Sequence, residues 1–195
     1  RLGEIEGAEV RCAPYSRNTL RSVLPEWRAR TVENPDGCWP ELQALCASAG
    51  VAVVLVADIP GTRASGATRW LTPRKALVQL SNRGKRNDKF WFAFFHEIGH
   101  VLLHGKKDIF LDDTSQGKGS GSTDDEAEAN EFAGSTLIPK EYDAELELLG
   151  TDREVKLFAE KIGVAPGIIA GRLQHDRSAY ALYTGLFEKY VLTEE

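Results

Sequence analysis

The run His96-Glu97-Ile98-Gly99-His100 sets two imidazoles four residues apart, with a carboxylate beside the first. In an α-helix, positions i and i+4 share a face, so both rings project together and can bind one metal ion. Zinc accepts neutral imidazole nitrogen, prefers four ligands in a tetrahedron, and in catalytic sites keeps one position for water. It lowers the pKa of that water to about 7, so a carboxylate at Glu97 can take the proton and later carry it to a leaving amine. The His-Glu-x-x-His spacing therefore points to metal-assisted peptide hydrolysis. The plainer alternative is a buried helix whose two histidines pair with carbonyls.

Such a site needs a third protein ligand. The run Asp-Asp-Glu-Ala-Glu-Ala-Asn-Glu-Phe-Ala, residues 124–133, is the best source. Glu126 and Asn130 are four apart on one helical face. Glu126 would bind zinc, and Asn130 could hydrogen-bond the other nitrogen of a ligand histidine. Glu128 points to a different side and is the weaker candidate. His104 lies another turn along the motif helix, about 5.4 Å further on. It is expected to support the site, by capping the helix end or lining the cleft, rather than to bind the ion. Tyr142, Arg172, His175 and Tyr180 are candidates for stabilising an oxyanion, and none stands out.

These residues must be positioned by a surrounding scaffold. Residues 90–104 are apolar nearly all round and predict a buried helix. A second helix is predicted over about 125–137, capped by Thr123 or Asp124 and closed by Pro139. Three strands are predicted at 51–57, 66–72 and 76–81, with the last as the candidate edge for capturing a peptide. Further helices are predicted at 39–49, 140–149, 152–162 and 165–175, with 178–192 as helix or strand. The turn signal Asn34-Pro35-Asp36-Gly37 precedes the first of these. Residues 58–65, 81–88 and 112–125 read as loops. Residues 1–35 show weak periodicity, with a short helix at 19–30 interrupted by Pro25, and read as an arm or linker. Residues 36–195 would form the domain that carries the site. The fold class is α+β, a small, mainly antiparallel three-stranded sheet packed against helices.

Composition narrows the function classes. A chain of 195 residues with 42% apolar content holds one core of ordinary size. Its longest pure apolar stretch, residues 51–57, is strand-sized, which argues against a membrane partner. A net charge of −5 argues against a broad nucleic-acid surface. The basic run Arg83, Lys85, Arg86 and Lys89 reads as a solvated loop. Three cysteines without a CxxC give neither a disulfide framework nor a cysteine zinc knuckle, and fit a reducing cytoplasm. The absence of methionine leads us to expect a fragment or processed chain, with something preceding Arg1.

The segments HEIGHVLLHG, DDEAEANEFAGSTLIP and LFAEKIGVAPGIIAGRLQHD resemble the ImmA/IrrE family of metallopeptidases over roughly residues 36–176. The resemblance is closest to the version fused behind a helix-turn-helix domain in HigA-like antitoxin regulators. Glu126, Asn130, Phe132, Ala133 and Pro139 make it specific, because HEIGH alone is shared by many zinc peptidases. The resemblance implies a zincin-like helical bundle with a gluzincin-like site. His96, His100 and Glu126 would sit on Zn2+, with Mn2+ or Fe2+ also accepted, and Glu97 would be catalytic. It also implies a protein substrate, a helix-turn-helix repressor or an antitoxin, cut to switch transcription.

Two other readings compete. The chain could be a non-cleaving antitoxin or sensor domain that binds a partner such as a toxin. Alternatively, residues 157–173 could be a helix-turn-helix with its turn at Gly163-Val164-Ala165-Pro166. The second helix of that pair carries Ile168, Ile169, Ala170 and Leu173, whereas a recognition helix needs polar side chains in a groove. A packed helical hairpin without nucleic-acid contact is the expectation.

Overall fold

A computed structural model of the chain describes residues 2–56, 65–81, 85–104, 110–111 and 123–192. The fold is α+β. In chain order the elements are α1 (Leu2–Glu9), α2 (Arg17–Ala29), α3 (Pro35–Ser48), β1 (Val51–Val56), β2 (Gly66–Thr72), β3 (Lys75–Ser81), α4 (Asn87–Leu103), β4 (Phe110–Leu111), α5 (Thr123–Leu137), α6 (Asp143–Leu148), α7 (Asp152–Ile162) and α8 (Pro166–Asp176). Short 3-10 turns lie at Arg30–Val32, Lys140–Tyr142 and Thr184–Leu186. Among the described residues, no helix is long and apolar enough to cross a membrane.

The sheet is mixed, in the order β1-β3-β2-β4. β2 is antiparallel to β3 and to β4, as a mainly antiparallel sheet requires, while β1 joins β3 in parallel. Two consequences correct the sequence reading. β3 sits between β1 and β2, so residues 76–81 are not an edge. Their near-continuous apolar run belongs to a strand covered on both faces. β2 lies between β3 and the two-residue β4, which pairs with it at Ala67 and Thr68, and β1 is the long strand at the edge of the sheet.

The alternation of β1 explains its all-apolar sequence. Val51, Val53 and Leu55 face the main core, while Ala52 and Val54 face a second cluster with Val10 and Cys12. The N-terminal segment read as an arm or linker is thus packed onto the sheet. Lys75 Nζ donates to the carbonyls of Ala8 (2.9 Å) and Val10 (2.6 Å), and Arg69 pairs with Glu4. α2 continues through Pro25 and drives Leu20 and Trp27 into the core, where Trp27 meets Phe94 edge-on at 5.1 Å. The predicted turn at 34–37 is a helix start. Asn34 caps α3 by accepting from Asp36 N, and Pro35 takes the first helical position, where its missing N–H costs nothing.

α4 is buried along almost its whole length between the sheet, α5 and α8. α7 and α8 form the expected hairpin, with Ile168, Ile169, Ala170 and Leu173 all buried. α7 opens with a capping box in which Thr151 and Glu154 satisfy each other's backbone N–H. Residues 178–192 form neither a helix nor a named strand. A 3-10 turn and a bridge from Lys189 to Arg86 bring Tyr190 into the core. The three cysteines form no disulfide, and burial pushes the Cys38 thiol up to about 11 and raises Cys46 as well.

Candidate metal centre

α4 carries His96, Glu97 and His100 at 5%, 1% and 1% exposure, so the motif residues are buried. One helical turn separates the two imidazoles, and their Nε2 atoms lie 3.0 Å apart. Phe92, a turn earlier and partly exposed, stacks on His96 at 6.3 Å. α5 supplies the opposing carboxylate from its first turn. Glu126 Oε2 lies 3.3 Å from His96 Nε2, and Oε1 lies 3.4 Å from His100 Nε2. One ligand atom from each of the three residues falls within 4.8 Å of the others.

The close approach of α4 and α5 depends on small residues. A Cβ added at Gly99 would stand 3.1 Å from Phe132 Cδ1 and 3.3 Å from Ala129 Cα. Ala129 and Ala133 are fully buried along the same seam. A larger residue at this crossing would lift α5 and carry Glu126 away from the rings.

Asn130, one turn after Glu126, places its Oδ1 3.0 Å from His96 Nδ1. An amide oxygen only accepts, so Nδ1 of His96 carries the hydrogen and Nε2 keeps its lone pair toward Glu126. Burial pushes the His100 imidazole toward its neutral form, against the pull of Glu126. The neighbouring imidazoles, His100 first and then His96, hold the Glu126 carboxyl down at about 2. Two neutral nitrogens and one anionic oxygen are the donors that a divalent cation takes.

Spacing adds a second test of fit. Bonds of about 2.0–2.1 Å in a tetrahedron put neighbouring donors about 3.3–3.4 Å apart. The two His–Glu separations, 3.3 and 3.4 Å, are each close to that edge but run to different oxygens of Glu126, and the His–His separation is 3.0 Å. Two imidazole nitrogens and one carboxylate gathered this closely fit the donor set of a divalent ion.

Glu97 turns to the other flank of α4. Thr68 on β2, itself 1% exposed, donates its hydroxyl to Glu97 Oε2 at 2.6 Å. The sequence reading did not single out Thr68. Its signal was a polar residue at an inward position of an alternating strand, with Gly66 on the same face.

The remaining candidates sort as follows. His104 Nδ1 lies 3.3 Å from Asp125 Oδ1 and 4.0 Å from Glu128 Oε2, tying the end of α4 to the start of α5. Glu128 is otherwise largely exposed. Tyr142 packs edge-on against Phe158, Arg172 is held by Asp176 at 2.6 Å, and His175 and Tyr180 are exposed. Most of the Gly/Ser-rich stretch at 112–125, and Arg83 of the basic run, lie outside the described residues.

A helix carrying both imidazoles, backed by a sheet and faced by a carboxylate from the next helix, defines a metallopeptidase-type domain. The profile of the IrrE N-terminal-like domain, a peptidase family, matches residues 51–174, and the chain belongs to that ImmA/IrrE family. The match spans β1 to α8 and so contains every residue of the centre. Compared with curated proteins, the chain matches none.

Proposed function

We propose that the chain is a zinc-dependent endopeptidase of the cytoplasm that cleaves a transcriptional repressor or antitoxin protein to control gene expression. The observation that carries this reading is the convergence of His96, His100 and Glu126 ligand atoms within 4.8 Å. Membership of a peptidase family supports the reaction class and a protein substrate. In this reading His96, His100 and Glu126 hold the ion, and Mn2+ or Fe2+ suits the same donors.

When bound, the ion supplies a Lewis acid that polarises the scissile carbonyl and lowers the pKa of a water to about 7. The residues of the chain do the rest. Asn130 fixes the His96 tautomer, which keeps Nε2 available as a donor. Glu97 accepts the proton of the attacking water and returns it to the leaving amine nitrogen as the peptide C–N bond breaks. The depth of Glu97 and His100 limits competing bulk water around the transferred proton.

The test is metal analysis of the purified chain together with cleavage of a co-encoded helix-turn-helix repressor, comparing wild type with Glu97→Gln. The expected result is one ion per chain in both proteins and a loss of cleavage on the order of 10²–10⁴-fold in the variant. Equal cleavage by wild type and Glu97→Gln would overturn the peptidase reading.

A second reading is a non-cleaving antitoxin or sensor domain that holds a partner such as a toxin. The near-complete burial of Glu97 and His100, at 1% each, favours it, since structural metal sites are closed. Its mark would be a toxin that co-purifies while Glu97→Gln leaves biological activity intact.

A further inference from the structure

A general base on a long side chain works only if something holds its carboxylate in place. Glutamate has three side-chain torsions, so contacts must select one rotamer. Productive proton transfer needs one oxygen aimed at the water and the other immobilised. The histidines of the motif face α5 while Glu97 faces β2, so the strand supplies contacts to its carboxylate.

We propose that Thr68 is the positioning residue of Glu97, pinning Oε2 so that the carboxylate keeps a single orientation. This rests on the peptidase reading above. Thr68 Oγ1 lies 2.6 Å from Oε2, within the range of a short charge-assisted hydrogen bond. The same hydroxyl lies 3.2 Å from the Glu97 backbone carbonyl, a neutral and longer alternative. One hydroxyl donates one hydrogen, and charged acceptors bind roughly twice as strongly as neutral ones, so the carboxylate takes it.

Gly66 provides the other half of the seat. It precedes Thr68 by two positions and so points to the same face of β2. A Cβ there would fall 2.5 Å from Glu97 Oε1 and 2.7 Å from Cγ. The strand thus presents a slot beside a peg, with Oε1 resting where a side chain would otherwise stand. Threonine suits the peg because its branched Cβ restricts χ1, so the backbone of the strand fixes the direction of the hydroxyl. In the reaction, a water O–H bond breaks and its proton moves to the Glu97 carboxylate while the oxygen bonds to the peptide carbonyl carbon. The same proton then passes from Glu97 to the amine nitrogen as the C–N bond opens.

The experiment compares wild type, Thr68→Val and Thr68→Ser as metal-loaded full chains. Crystal structures read the Glu97 rotamer, and a quenched-fluorescent pool of random peptides reads kcat and KM. Thr68→Val keeps the shape and removes the donor, so Glu97 should spread over more than one rotamer. Its kcat should fall about 10–100-fold, the range of supporting residues at metal sites, with KM and metal content unchanged. Thr68→Ser restores the donor and should return the single rotamer and most of the kcat. A Thr68→Val crystal in which Glu97 keeps its place overturns the proposal. So does an equal loss of kcat in the serine and valine variants. If wild type and Glu97→Gln cleave the co-encoded repressor equally, the peptidase reading fails, and the crystallographic comparison still decides the role of Thr68.

Discussion

The two flanks of α4 meet different neighbours. Toward α5 the helix presents two imidazoles to a carboxylate and an amide, across a seam of Gly99, Ala129 and Ala133. Toward β2 it presents one carboxylate to a hydroxyl and a glycine. The first flank is assembled by two helices whose ligand pairs each follow the i, i+4 rule, His96 with His100 and Glu126 with Asn130. The second is assembled by a strand whose partner residues alternate. In the proposed reading one helix thus serves two geometries at once, an ion-holding face set by helical spacing and a base-holding face set by the pleat of a sheet.

Perturbations on each flank should separate these roles. The largest effect is expected from Glu126→Gln, which keeps the shape but removes the anionic donor. Bound metal, read by elemental analysis and competition with a chelator, should weaken by more than the 10–100-fold typical of supporting residues, and turnover should fall with it. Asn130→Ala should come next. His96 loses the acceptor that fixes its tautomer, and metal affinity should drop about 10–100-fold while the fold stays intact by circular dichroism. Gly66→Ala tests the other flank. Its methyl group collides with Glu97, so kcat should fall while metal affinity stays at the wild-type value. Loss of metal in that variant would break the division between the two flanks.

The smallest effect is expected far from either flank. Thr151→Ala removes the cap of α7 and should lower stability by about 1 kcal/mol in denaturant melts, with metal binding and turnover unaffected. Its box partner Glu154 gives the pH dependence. The backbone N–H groups of Gly150 and Thr151 hold the Glu154 carboxyl below its ordinary value. A depressed carboxyl contributes stability that is complete above its unfolded value of 4.5 and fades as pH falls through the lowered one. Acid melts of Glu154→Gln should therefore lose less between those limits than wild type.

Much of the helical flank was legible because its information is local. His96, Glu97, His100, Glu126 and Asn130 could be named from spacing, and β2 and α7 have the bounds that their patterns imply. The meeting of Glu126 with the histidines was not given by spacing. It depends on how closely α5 crosses α4, which Gly99 hints at but does not specify. The strand flank was illegible for a related reason. Thr68 is one threonine among several, and only the tertiary approach of β2 to α4 turns it into a partner for Glu97. Strand order was missed too, because β1 pairs in parallel with β3 rather than with β2, which follows it in the chain, and so takes the edge of the sheet. The weak periodicity of residues 1–35 hid two core anchors, Leu20 and Trp27, which sit on one short helix interrupted in sequence by Pro25.

β2 pairs with β3 so that Gly66 faces Leu80 and Thr68 faces Val78, and the ladder shifts between Trp70 and Thr72. Side chains alternate along a strand, so sliding β2 by a single residue would swing Thr68 to the opposite surface and bring Ala67 into its place. The tight connection after Thr72 is then more than a linker between strands. By fixing how the ladder closes, it sets whether a hydroxyl or a methyl meets the proton acceptor, and an insertion in that turn should silence the base without touching the metal.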